Sequence, residues 1–116
     1  MQRWKDFERR CMVPAFRELR AGRVYASTRK LACCQTCAHA ELSAEHASYV
    51  FYHVQDKEHC LEAGPSQPLC LYLGYDFEDA ATEARALAIL KKHLDVEWDG
   101  DHRTRICVRP KAPCAQ

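Results

Sequence analysis

Nowhere does this 116-residue chain hold an apolar run near the ~18 residues that a membrane-spanning helix needs. Glycine occurs only four times, and no phosphate-binding glycine loop, nucleophile elbow or zinc-protease helix is present. The opening stretch "MQRWKDFERR" lacks the apolar centre of a secretory signal. It carries Asp6 and Glu8, and no serine or threonine comes before Ser27, which argues against an organellar transit peptide. A continuous basic stripe is also missing, so nucleic-acid binding is not expected. There is no second Cys-x-x-Cys and no His-x-x-x-His to complete an obvious metal site.

What is present is cysteine, eight in all, in a chain with 47% hydrophobic and 28% charged residues. That composition and length suit one soluble domain with a core of its own, with no need for metal or disulfide staples. Without a secretory signal, the even cysteine count points to reduced thiols in the cytoplasm or another reducing intracellular compartment. Cys70 and Cys107, inside apparent strands, read as small packed thiols. The net charge of +1 hides an uneven layout, with basic ends around an acidic middle. The basic N-terminal helix is a candidate docking surface for a protein partner.

Trp4, Phe7, Cys11, Ala15 and Leu19 recur at helical spacing, and Pro14 implies a kink or a second helix start. Gly22 reads as a stop. "RVYASTRKLA" and "ASYVFYHVQD" read as strands, and Asp56 as the N-cap of a short helix reaching about Ala63. "LCLYLGYD" alternates as a third strand. Asp76 reads as the cap of a long helix with a stripe of Ala80, Ala84, Leu87, Leu90 and Leu94. "VEWDGDHRTRICV" reads as a β-hairpin around Asp99-Gly100. The expected fold is one α+β domain over residues 1–109, with a mixed sheet of four to five strands. An N-terminal helix opens it, a long helix precedes a C-terminal hairpin, and 110–116 form a flexible tail. Leu69–Tyr75 and Val96–Trp98, joined by the long helix, are expected as a parallel crossover pair.

Across residues 4–108 the chain resembles a family of short, mainly bacterial proteins classed as a domain of unknown function. The pattern is a C-C-x-x-C-G turn with an acid after it, an aromatic strand ending in Q-D, an L-Y-L strand and a W-D-G hairpin. Here it reads as Cys33-Cys34-Gln35-Thr36-Cys37 with Glu41, then "YVFYHVQD", "LYLGY" and "VEWDG". Ala38 stands where the pattern has glycine. The resemblance implies the fold boundary and the importance of the cysteine turn, and it implies no activity.

The turn allows three chemistries. Cys34-x-x-Cys37 lets two thiolates grip one zinc, with Cys33 or His39 as third ligand and His53, His59 or Cys60 as fourth. The same pair suits thiol redox chemistry, Cys34 attacking and Cys37 resolving. The third possibility is plain packing. His53 on its aromatic strand reads as a core histidine. "QDKEHC" reads as a solvated helix start, and Asp99 and Asp101 as turn-formers. A catalytic residue is not assignable. The expectation is a binding or interaction domain with a cysteine cluster that holds structural zinc. Its alternatives are a thiol-redox protein and a metal-free accessory subunit of a larger assembly.

Overall fold

The computed structural model describes residues 2–27, 42, 46–52, 54–62 and 69–111, without the side chains of residues 2, 27, 54, 55, 57 and 59. The chain begins with helix α1 (Gln2–Phe7), passes through a π-helical segment (Glu8–Met12) and continues as α2 (Val13–Ala21). Val13 N–H bonds Glu8 O, five residues back. That wide turn falls just before Pro14, which lacks an N–H and would crowd a carbonyl four residues earlier in a regular helix. The helix therefore swells and does not break at Pro14. It ends at Gly22, and the left-handed residue is Arg23, at φ 69°.

Among the described residues five strands follow: β1 (Tyr25–Ser27), β2 (Tyr49–Phe51), β3 (Leu71–Asp76), β4 (Leu94–Glu97) and β5 (Ile106–Pro110). They form one sheet in the order β1-β2-β3-β5-β4. Only β1 and β2 pair in parallel; the other neighbours are antiparallel. This is a mixed sheet in a single α+β domain, as expected. The proposed β3–β4 neighbourhood is corrected. The two strands do run the same way, but β5 lies between them, because the hairpin return fills the slot that the helical crossover from β3 to β4 leaves open.

Alternation sets the two sheet faces. Val24, Ala26, Val50, Leu71, Leu73, Ile106 and Val108 point inward and join Trp4, Cys11, Phe16, Leu19, Ala86 and Leu90 of the helices in one core. Each large side chain buried there contributes about 1.5–3 kcal/mol. Helix α3 (Val54–Leu61) packs along β3. It starts before Asp56, so Asp56 lies in its first turn and is not its N-cap.

Helix α4 (Ala80–His93) is capped by Asp79, whose carboxylate accepts the Thr82 N–H at 2.7 Å. Asp76, the expected cap, is instead a strand residue opposite Tyr49. The buried stripe shifts accordingly, to Thr82, Ala86, Ile89 and Leu90, leaving Ala80 and Ala84 exposed. At its far end, His93 and Lys92 meet Glu18 of α2 at 2.8 and 3.1 Å. These contacts hold the Glu18 carboxyl below its ordinary value, the His93 hydrogen bond acting most strongly. Among the described residues, no helix is long and apolar enough to cross a membrane.

Candidate functional site

Cys33, Cys34, Cys37, His39, Glu41 and His53 lie outside the described residues, as does the side chain of His59. Cys60 is described, and is 1% exposed within the core cluster. Its sulfur accepts a hydrogen bond from the Cys70 backbone, while burial pushes the thiol above its ordinary value. Among the described residues, no group of three or more His, Cys, Asp or Glu is arranged to hold a metal ion.

The sheet face opposite the helices carries two zones. Around β1 and β2 the zone is aromatic. Tyr49 and Phe51, both buried, cluster with Leu42, and Tyr25 packs against them. The ring of His46 stacks on Tyr25 at 4.0 Å and 9°. Phe51 lies over its register partner Gly74, where an added Cβ would meet ring carbons at 3.0 Å or less. Only glycine leaves room for that ring. Because β1 and β2 are parallel, the chain joining them is a crossover connection. Leu42 and His46, near its end, rest on this aromatic surface.

Around β3, β5 and β4 the same face is polar. Arg105, just ahead of β5, and Cys107 and Arg109 on it alternate outward. Arg105 grips Asp56 through two hydrogen bonds of 2.7 and 2.6 Å and donates a third, at 2.7 Å, to Tyr72 O. Arg109 pairs with Glu97 of β4. A groove of about 450 Å³ runs between Tyr72, Trp98, Arg105 and Cys107, and Tyr72 is 40% exposed beside it.

Cys107 also meets Cys70, their sulfurs at bonding distance and their Cα atoms 6.3 Å apart, a span that suits a disulfide. The reading of these two as separate packed thiols is therefore corrected. What the sequence could not supply was that β5, and not β4, lies beside β3.

The Asp56–Arg105 clamp was also missed. Asp56 is 7% exposed, so the reading of its neighbourhood as solvated does not hold for it. The "WDGDH" residues do shape the hairpin connection. Asp99 accepts the Asp101 N–H, Asp101 accepts the Arg103 N–H, and Trp98 Nε1 donates to Asp101 O. Trp98 packs edge-on against Tyr75 at 5.4 Å.

The architecture defines a class: a small α+β domain, helices α1 to α4 on one sheet face, with an aromatic and a polar zone on the other. The chain belongs to the family described as Domain of unknown function (DUF6891), which matches it over residues 4–112. Comparison with curated proteins and with solved structures gave no match.

Proposed function

We propose that this domain is a binding or interaction module whose β1–β2 connection is closed by one structural zinc. Cys34 and Cys37 supply two thiolates, and Cys33 or His39 the third ligand. Cys60 belongs to the core on the other side of the sheet from Leu42 and His46, so His53 or His59 serves as fourth. The observation that carries this reading is the packing at the end of the connection. Leu42 is 7% exposed against Tyr49 and Phe51, and His46 stacks on Tyr25. Leu42 and His46 thus meet three aromatic rings, and a metal clamp in the connection that leads to them would supply rigidity from few residues. The partner-facing surface is the basic side of α1 and α2, where Lys5, Arg10 and Arg17 are exposed; it suits an acidic protein surface.

Native mass spectrometry of the full chain tests the clamp. One zinc per chain is expected, removed by a strong chelator and absent from the Cys34→Ser/Cys37→Ser variant. A metal-free chain overturns it. The redox alternative is favoured by one observation, that the sulfurs of Cys70 and Cys107 lie at bonding distance in this fold. A metal-free chain with a Cys34 thiol titrating well below ~8.5 would select it. A metal-free chain with ordinary thiols that co-purifies with a stable partner would select the accessory subunit.

A further inference from the structure

We propose that Cys70 and Cys107 form a thiol–disulfide exchange site on the outer sheet face, with a small or protein-borne dithiol as its substrate. The proposal is independent of the cysteine turn. Two observations carry it.

The first is placement. Tyr72 faces Cys107 across the β3–β5 ladder, so Cys70, two residues earlier, is its diagonal neighbour on the same face. That face lies away from the helical core. Cys107 lines the open groove, and Cys70 is half-buried. Cys60 is the contrast, a thiol sealed in the core, which burial pushes above its ordinary value.

The second is redundancy. Beside the bond, β3 and β5 are held by the pairs Leu71↔Val108, Tyr72↔Cys107 and Leu73↔Ile106. Arg105, just ahead of β5, also bridges to Tyr72 O. Leu71, Leu73, Ile106 and Val108 are fully buried beneath. The two strands stay paired when the sulfurs part, so the bond can open within the folded chain.

The exchange balances in two steps. A substrate thiolate attacks Cys70 Sγ, the more exposed sulfur. The Cys70–Cys107 bond breaks, and Cys107 leaves as thiolate. The second thiolate of the same dithiol then attacks its own sulfur in the mixed disulfide and releases the Cys70 thiolate. The substrate ends as a disulfide, having given up two electrons and two protons. Cys70 and Cys107 end as thiols.

The test equilibrates the full-length, air-oxidised chain with graded ratios of reduced and oxidised dithiothreitol, without denaturant. Thiols are then trapped by alkylation and mapped by mass spectrometry, with circular dichroism reporting the fold. Cys70 and Cys107 should gain label together, lose it on return to oxidised reagent, and keep the native spectrum throughout. Cys107→Ser should trap a stable mixed disulfide at Cys70 with 2-hydroxyethyl disulfide. Cys34→Ser/Cys37→Ser should exchange at Cys70 and Cys107 unchanged, whether or not the chain binds zinc. The proposal is overturned if the bond survives reduction until urea unfolds the chain. It is equally overturned if both cysteines label in the folded, air-oxidised protein, or if the Cys34/Cys37 variant abolishes their exchange.

Discussion

Replacing Asp56 with asparagine keeps the side chain's shape and removes its charge from a carboxylate that is 7% exposed. The Arg105 guanidinium then keeps its bond to Tyr72 O and loses both charged contacts. Breaking a fully buried pair costs about 3–5 kcal/mol, because the surviving charge is left without a partner. Arg105 is 27% exposed, so water recovers part of that loss, and about 2–3 kcal/mol is expected here. For a domain of this size that is roughly a 10 °C fall in Tm. Urea unfolding at pH 7 reads the loss directly, as a lower midpoint at unchanged slope. Arg105→Met tests the partner, and the double variant should be less destabilised than the two single losses combined, by at least about 1 kcal/mol. A loss under ~0.5 kcal/mol for Asp56→Asn, with no coupling, would refute the view that this clamp ties α3 to β3 and β5.

Gly74→Ala should cost about 2 kcal/mol in urea unfolding, since a Cβ there drives into the Phe51 ring; a second change, Phe51→Leu, should recover part of it. Stability should fall on acidification. The folded-state value of Glu18 is depressed below its ordinary 4.5, so its contribution is present above that value and lost as pH falls through the depressed one. Glu18→Gln should therefore flatten the acid limb of a pH–midpoint curve. Opening the Cys70–Cys107 bond, which spans 37 residues, should lower stability by up to about 4 kcal/mol through the freed unfolded chain. Urea midpoints of oxidised and reduced protein check this, with the reduced chain still folded in buffer.

Much of the fold was legible because alternation is a two-state signal. In "LCLYLGYD" the leucines and Cys70, Tyr72 and Gly74 sort to opposite faces, and the sheet keeps that order. Capping was less legible, because Asp76, Glu78 and Asp79 all precede α4 and any of the acids can accept an N–H. Strand pairing with Tyr49 holds Asp76 extended, which passes the cap to Asp79. Three residues of delay rotate the helix by most of a turn and move the buried stripe from Ala84 to Thr82 and Ala86.

Relations between distant segments were not legible at all. Asp56 and Arg105 lie 49 residues apart, and Cys70 and Cys107 meet only because β5 inserts beside β3. Local pattern marks which side of a strand a residue faces, and says nothing of which strand lies next to it. The cysteine turn is the reverse case. Its spacing alone makes it a candidate, and the zinc proposed there would give it a structural purpose.

Zinc K-edge absorption spectroscopy of the purified full chain addresses that purpose most directly, because sulfur and nitrogen neighbours scatter at different distances. A first shell of four ligands is predicted, with at least two sulfurs near ~2.3 Å, reduced by two sulfurs or lost altogether in Cys34→Ser/Cys37→Ser. A chain that retains no zinc, or zinc bound by oxygen and nitrogen alone, would contradict it.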